Sequence, residues 1–276
     1  MAPTDVEIVL LKQLASCLRI PIAILSPEAS VVYFNEAAES IFGYRFEEMG
    51  GLGAEEWSAM LLPSDENGAL LKPEERPALV ALERRMPGHR RILIRSGDRP
   101  KREIELTAVP LIATGDEETG ERFLGALSIF WDPSERIDTA IPADPAAGTS
   151  VEMVLTQRLA STLAMPIFVV DPEGRPVYAN PATAAFLGWT AGDPGRISRR
   201  DLYEVFEPRD SEGNRIGHDE HPLVVARLRN EPIHARSRIR GRDGVESEIA
   251  VTALPLIGQS DRQLGAFGIF WEIGRS

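Results

Sequence analysis

The sequence repeats itself once at a constant spacing of 145 residues, so that Val6 corresponds to Val151. The segment LASCLRIPIAILSPEASVVYFNEAAESIFG returns as LASTLAMPIFVVDPEGRPVYANPATAAFLG. The spacing shortens by five residues before Leu124 and its counterpart Leu264, between two apolar runs, as in a surface hairpin loop that tolerates deletion. A repeat of this length predicts two copies of one domain rather than one large fold.

Composition sets limits on what the two copies can be. The chain has 276 residues, 43% of them hydrophobic, enough for two cores of roughly 100–150 residues each. Its net charge of −12 disfavours a nucleic-acid partner, which basic surfaces attract. No stretch approaches the roughly 20 apolar residues of a membrane span, so we expect a cytoplasmic protein without membrane contact. The single cysteine, Cys17, excludes an internal disulfide and is expected to be a small buried side chain.

Each copy is predicted to open with an amphipathic helix. Thr4-x-x-Glu7 and Thr149-x-x-Glu152 have the pattern of capping boxes, in which the two side chains satisfy free amides of the first turn. Apolar residues then recur at helical spacing. This stripe either packs on its own domain or pairs with another copy, and the residues predicted to form that interface are Val6, Leu10, Leu14, Val151, Leu155 and Leu159.

The rest of each copy alternates between strands and short helices. PIAIL and VVYFN, with PIFVV and PVYAN in the second copy, indicate a β-hairpin. Asn35 and Asn180 suit the N-cap of the following helix, and Pro77 and Pro222 open a later one. Three further strands follow in each copy. The predicted fold class is α+β: two domains, each a five-stranded antiparallel sheet with short helices on one face and a leading amphipathic helix.

The residues resemble those of bacterial PAS sensor domains. The resemblance is carried by the asparagine that opens the first core helix, the D-x-x-G loop before a Pro-led helix, the T-A-x-P-L segment and the final G-A-x-x-I-F-W-D/E strand. It covers nearly the whole chain twice, predicting PAS-like domains at 1–133 and 149–276 joined by a linker at 134–148. Asp132-Pro133-Ser134-Glu135-Arg136 is similar to the sequence that carries signals out of such domains. No output domain follows within the sequence, so we expect a regulatory protein that acts alone.

The resemblance implies a ligand pocket between the sheet and the short helices. The predicted pocket residues lie at matching positions of the two copies: Phe42, Leu79, Ile104 and Leu106, and Leu187, Val224, Ile249 and Val251. Covalent flavin photochemistry is excluded, because EEWSAMLL and RDLYEVFE, which correspond to the segment that carries the reactive cysteine, contain none. The expected cofactor is therefore none or unknown.

Histidines give a weaker indication of chemistry. His221 directly precedes Pro222, with His218 three residues earlier, so domain 2 could ligate heme or a metal through them, although a polar loop explains the same residues and is preferred. Being unmatched in the first copy, they favour domain 2 as the place for a specialised ligand. His89 and His234 open strands and receive little weight. No catalytic constellation is recognisable, so the protein is not expected to be an enzyme.

Binding is the function that the sequence favours. We expect a sensor that binds a small molecule, a protein partner (a signalling component or a second copy), or both. The alternative is a ligand-free scaffold for dimerisation. The two leading helices further suggest an internal pseudo-dimer or a homodimer.

Overall fold

The computed structural model describes residues 6–49, 51–97, 99–114, 120–135, 151–188, 208–240, 246–258 and 261–273. The chain divides into two compact units, Met1–Glu135 and Arg136–Ser276, called domain 1 and domain 2 below. Thr4, Thr149, most of the predicted linker and the segment RDLYEVFE lie outside the described residues. Their predicted roles stay predictions.

Domain 1 begins with a helix, a hairpin and short helices, and ends with three strands. Its elements are α1 (Val6–Cys17), β1 (Ile22–Leu25), β2 (Val31–Phe34), α2 (Glu36–Phe42), α3 (Phe46–Met49), α4 (Ala54–Leu61), a 3-10 turn (Pro73–Glu75), α5 (Pro77–Glu83), β3 (Gly88–Ile94), β4 (Arg102–Ala113) and β5 (Arg122–Trp131). The five strands form one antiparallel sheet in the order β2-β1-β5-β4-β3.

Domain 2 follows the same plan. Its described elements are α6 (Val151–Thr162), β6 (Ile167–Val170), β7 (Pro176–Ala179), α7 (Pro181–Leu187), a 3-10 turn (His218–Glu220), α8 (Pro222–Arg229), β8 (Ile233–Arg240), β9 (Glu246–Ile257) and β10 (Gln263–Glu272). Its sheet has the equivalent strand order, β7-β6-β10-β9-β8. The predicted α+β class, with two five-stranded antiparallel sheets and a leading helix in each copy, is confirmed. Among the described residues, no helix is both long and apolar enough to cross a bilayer.

A buried asparagine joins the leading helix, the hairpin and the first core helix of each domain. Asn35 Oδ1 accepts hydrogen bonds from the backbone amides of Ala38 and Ile22, which confirms the predicted N-cap. Its Nδ2 donates to the carbonyls of Ala15, Leu18 and Ile20. Asn180 makes the same set of bonds in domain 2. Both polar atoms of this buried side chain are hydrogen-bonded, so a residue without a donor and an acceptor could not replace it without leaving backbone groups unpaired.

Glycine is required where the last strand meets the first. Gly125 and Gly265 have φ of +119° and +126°, and a Cβ on either would lie 2.0 Å from the carbonyl oxygen of Leu25 or Val170. The G-A pair that recurs in the final strand of both copies therefore has a steric cause, since L side chains rarely adopt this φ and no space exists for one.

The residues predicted to form an interface on each leading helix differ in their exposure. In α1 the buried residues are Leu11, Leu14 and Ala15, and in α6 they are Met153, Thr156, Leu159 and Ala160. Val6 and Val151 are 68% and 70% exposed, whereas Leu10 and Leu155 are partly buried. An interface through these residues stays a prediction. Cys17 is partly exposed rather than buried.

Candidate functional site

Domain 1 contains a cavity between the inner face of its sheet and helices α4 and α5. The cavity has a volume of about 90 Å³. Strands β1, β3, β4 and β5 form its floor, and the two helices form its roof. Its lining residues are Ala23, Leu25, Phe42, Ala54, Trp57, Ser58, Leu61, Pro63, Leu71, Arg76, Pro77, Ala78, Leu79, Ile92, Ile94, Ile104, Leu106, Ser128 and Phe130. Nearly all are apolar, so the cavity favours an apolar occupant.

The structure places all four predicted pocket residues of domain 1 on the wall of this cavity, namely Phe42, Leu79, Ile104 and Leu106. Their domain 2 counterparts Leu187, Val224, Ile249 and Val251 are all buried. Three of those four, all but Val224, lie in one core cluster. The predicted set therefore faces the interior in both domains.

Aromatic rings close one end of the cavity. The ring centroid of Phe42 lies 4.6 Å from that of Trp57, at an interplanar angle of 87°, and 4.7 Å from that of Phe130. Phe34 adds an edge contact to Phe42 at 5.5 Å. Such packed ring contacts stabilise beyond the area they bury and give this wall a fixed shape.

Three polar side chains line the cavity, and two of them are engaged with each other. Arg76 donates from Nε and Nη2 to the Leu71 carbonyl oxygen at 3.0 and 2.8 Å, and from Nη1 to Ser58 Oγ at 2.8 Å. These bonds tie α4 to the start of α5. The third polar side chain, Ser128, is 4% exposed, and its hydroxyl has no hydrogen-bond partner among the described residues.

Domain 2 differs at the positions that create the space. Ala78 corresponds to Leu223, Ser128 to Gly268 and Ala23 to Phe168. Leu223 packs onto Gly268, because a Cβ built on that glycine would lie 3.3 Å from Leu223 Cδ2. Leu223 and Phe168 belong to the same buried cluster. Larger side chains thus stand in domain 2 at two positions that line the cavity of domain 1.

The two unmatched histidines of domain 2 have different surroundings. His218 is substantially exposed, with Nδ1 3.0 Å from Asp219 Oδ1. His221, the N-cap residue of α8, is partly buried, and desolvation, with a smaller contribution from the charge of His218, lowers the pKa of His221 to about 4. The imidazole is therefore neutral at pH 7. The described residues contain no group of three or more side chains placed to hold a metal ion.

A histidine, a threonine and a tryptophan meet on the sheet face opposite the cavity, at equivalent places in both domains. His89 Nδ1 lies 2.8 Å from Thr107 Oγ1, and its ring centroid is 5.9 Å from that of Trp131. The second copy repeats these contacts at 2.8 and 5.7 Å with His234, Thr252 and Trp271. Sequence analysis gave His89 and His234 little weight, although they are separated by the repeat spacing. Their matched bonds to a buried threonine indicate a structural role.

The end of β5 carries an ion pair between residues that differ in domain 2. Arg102 Nε donates to Asp132 Oδ2 at 2.6 Å, and the Ser134 amide donates to Asp132 Oδ1 at 2.8 Å. Although desolvation opposes it, hydrogen bonds from Ser134 and Arg102 hold the pKa of Asp132 below its usual value. The domain 2 equivalents, Ser247 and Glu272, share one hydrogen bond of 3.1 Å. The Arg102–Asp132 ion pair thus fixes the end of β5, and the signal-carrying role that the resemblance implied for Asp-Pro-Ser-Glu-Arg stays a prediction.

Comparison with known families agrees with the topology. A model described as PAS fold matches residues 155–273, and one described as PAS domain matches residues 10–76. The chain belongs to the PAS family. It is a tandem PAS protein, and because PAS domains are sensory and regulatory modules, its role is sensory or regulatory. That role is consistent with a protein that is not an enzyme.

Solved structures similar to this tandem PAS protein share little sequence with it. An RNA-binding light-oxygen-voltage receptor is 14% identical, with 92% of this chain and 95% of that chain covered and a TM-score of 0.34. The PAS domain of BvgS from Bordetella pertussis is 18% identical, with 45% and 87% covered and a TM-score of 0.33. The PAS domain of an HTR-like protein from Haloarcula marismortui is 16% identical, with 43% and 88% covered and a TM-score of 0.32. At this similarity they indicate nothing about what this PAS protein binds. A search of curated protein sequences finds no significant match.

Sequence reasoning missed the residues that distinguish the two PAS domains. It collected positions that the copies share, whereas Ala23, Ala78 and Ser128 are positions at which they differ. The signal was present in the alignment of the copies, as a large residue opposite a small one at Ala23/Phe168 and Ala78/Leu223. Only the fold shows that these scattered differences meet in one place.

Proposed function

We propose that this tandem PAS protein is a sensor whose domain 1 binds a small apolar molecule in the cavity beneath α5. The observation that carries the proposal is the cavity itself, which lies between sheet and helices and is lined almost wholly by apolar side chains. Burial of apolar surface in such a site is the main source of affinity for a ligand of this kind. The unmatched histidines favoured domain 2, but the cavity supports domain 1 as the sensing site.

The volume of the cavity limits the ligand. An apolar cavity of about 150 Å³ accepts benzene, and the cavity of domain 1 measures about 90 Å³. Six non-hydrogen atoms in about 150 Å³ scale to roughly four in this cavity, so a ligand of about four or five non-hydrogen atoms is consistent with the space. The volume favours a small molecule over a flavin or a heme, so the proposal includes no prosthetic group in domain 1.

Domain 2 has a different part in the proposal. Leu223 and Phe168 place larger buried side chains at positions where domain 1 has alanine, which supports the alternative function, a ligand-free scaffold, for this domain alone. In this proposal domain 1 binds the ligand and domain 2 acts as a scaffold. Protein partners are assigned to the leading helices, because Val6, Val9, Val151 and Val154 are apolar and exposed at matching positions.

A pair of reciprocal variants tests the assignment of the ligand to domain 1. The experiment is a methyl NMR titration of the full-length protein with isopentane, a neutral apolar probe of suitable size. We expect isopentane to shift the methyl signals of Ile104 and Leu106 and to leave those of Ile249 and Val251 unchanged. Ala78→Leu, which introduces the residue that domain 2 has at this position, should abolish the shifts, because the leucine occupies the space of the probe.

The reciprocal change is Leu223→Ala, which removes the side chain that packs onto Gly268. It should destabilise domain 2 by roughly 2–5 kcal/mol and leave the probe response of domain 1 intact. If isopentane shifts no signal of domain 1, or shifts it equally in Ala78→Leu, the sensor proposal is wrong and the scaffold alternative stands for both domains.

A further inference from the structure

The buried hydroxyl of Ser128 is the unusual group in the cavity of domain 1. Serine at 4% exposure ordinarily finds a hydrogen-bond partner, because an unpaired polar group in an apolar interior costs free energy. Ser128 Oγ has none among the described residues. A group of this kind requires an explanation.

The position of Ser128 places it at the centre of the cavity floor. It lies on β5 opposite Ala23 of β1 and Ala108 of β4. Alternation along the strand puts it on the same face as Phe130, and both residues line the cavity. Small alanine side chains on both neighbouring strands leave the space around the serine open.

The other polar side chains of the cavity are already bonded. The guanidinium of Arg76 donates to the Leu71 carbonyl and to Ser58 Oγ, so Arg76 and Ser58 each have at least one hydrogen-bond partner. Among the described lining residues, Ser128 is the one whose buried hydroxyl has no partner.

Domain 2 has no hydroxyl at the equivalent position. The residue equivalent to Ser128 is Gly268, with no side-chain polar group to satisfy, and Leu223 packs directly onto it. The serine thus occurs in the copy that has Ala78, and is absent from the copy that has Leu223 at the equivalent position.

We propose that Ser128 hydrogen-bonds the single polar group of the ligand, and that the ligand is a small uncharged molecule with an apolar body and one hydroxyl or carbonyl oxygen. This inference rests on the proposed function, since it assumes that the cavity binds a ligand. Most of the wall is apolar, and Arg76, the charged residue on it, already donates to the Leu71 carbonyl and to Ser58, so an uncharged molecule is favoured because a buried charge needs a paired partner. A lone hydroxyl, in contrast, can satisfy either a carbonyl or another hydroxyl.

The test compares two probes that differ in one group. Isobutanol and isopentane have nearly the same shape, with a hydroxyl in one where the other has a methyl. Dissociation constants of both are measured by methyl NMR with the full-length protein and with Ser128→Ala. We expect Ser128→Ala to weaken isobutanol binding by about tenfold and to leave isopentane binding unchanged or slightly stronger. Ser96→Ala, which removes a buried hydroxyl of domain 1 outside the cavity, is the matched control and should leave the ratio of the two constants unchanged.

The outcomes separate this inference from the proposed function. If both probes bind and Ser128→Ala changes neither constant, or changes both equally, Ser128 is not the anchor although the cavity still binds ligands. If neither probe binds the unaltered protein, the cavity is not a ligand site, and both proposals fall. A selective loss of isobutanol affinity supports both.

Discussion

At the residue scale, two polar side chains distinguish the two PAS domains. Ser128 has an unsatisfied hydroxyl in a cavity, and His221 has a pKa far below that of free histidine. Each occurs in one copy, and each is energetically unfavourable where it lies, because burial of an unpaired or ionisable group costs free energy. Residues that reduce stability without an evident structural benefit are those expected at functional sites.

Replacing Ser128 should stabilise the protein in the absence of ligand. Ser128→Ala removes a hydroxyl that is buried without a partner, and we expect the free energy of unfolding of domain 1 to rise by about 1 kcal/mol. Ser96→Ala should lower it by a similar amount, because the Ser96 hydroxyl donates to the Phe42 carbonyl. Urea unfolding followed on the Ile104 methyl signals measures both. A loss of stability in Ser128→Ala would mean that the hydroxyl is bonded in the folded protein.

His221 should make the stability of domain 2 sensitive to mild acid. Its pKa is about 4 in the folded protein and about 6.5 when unfolded, so between these values the unfolded state binds the additional proton. Stability is unaffected above pH 6.5 and falls as the pH drops toward 4, by about 2 kcal/mol at pH 5. His221→Gln should remove the loss of unfolding free energy that protonation of His221 causes between pH 7.5 and pH 5. Urea unfolding, followed by the methyl signals of Ile249, measures this loss. The control His218→Gln should retain it, and an unchanged pH dependence in His221→Gln would contradict the assignment.

At the scale of elements, the same connections hold both copies together. A buried asparagine fixes the end of the leading helix, the first strand and the start of the first core helix. A glycine lets the last strand approach the first, and a proline opens the helix that covers the sheet. The helices that cover the two sheets differ in side-chain size, because α5 has Ala78 at the position where α8 has Leu223.

A charged side chain at position 35 should destabilise domain 1. Asn35→Asp keeps the oxygen that caps α2 but replaces the amide nitrogen, so that a carboxylate oxygen faces the carbonyls of Ala15, Leu18 and Ile20. We expect domain 1 to lose about 3 kcal/mol or more of stability, because a buried charge is then left beside acceptors. Asn67→Asp, on an exposed loop, should change stability by less than about 0.5 kcal/mol. Thermal unfolding compares the two, and equal effects would mean that the Nδ2 bonds contribute little.

At the scale of the whole molecule, the chain has two compact units with separate sheets and cores. Both leading helices carry exposed valines at matching positions. Exposed apolar groups on a helix are suited to association, and the repeat offers two such helices in one polypeptide.

Separated halves should therefore fold and associate. Fragments 1–135 and 136–276, mixed in equal amounts, are expected to elute together from a size-exclusion column. Val9→Lys in one fragment and Val154→Lys in the other should weaken the association, because each places a charge on the apolar helix surface. Val177→Lys, which alters an exposed valine on a strand, is the control. Two fragments that elute as separate monomers would contradict an internal pseudo-dimer.

Most of the fold could be predicted because its signals are local in sequence. The N-caps at Asn35 and Asn180, the proline-led helices and the three final strands each depend on neighbouring residues. The interface on α1 and α6 stays a prediction, since its residues include the exposed Val6 and Val151. Helical periodicity identifies an apolar stripe without showing where the rest of the domain begins to cover it.

The sequence by itself determined that the protein contains two PAS domains, because a repeat at fixed spacing preserves every local structural signal in both copies. Only the tertiary structure decided that the copies have different interiors. Ala23, Ala78 and Ser128 are far apart in the chain and become neighbours when β1, β5 and α5 pack together, and whether a hydroxyl has a partner depends on every side chain around it. Space and hydrogen-bond satisfaction are properties of the packed molecule, and the proposed difference between a sensor domain and a scaffold domain rests on them.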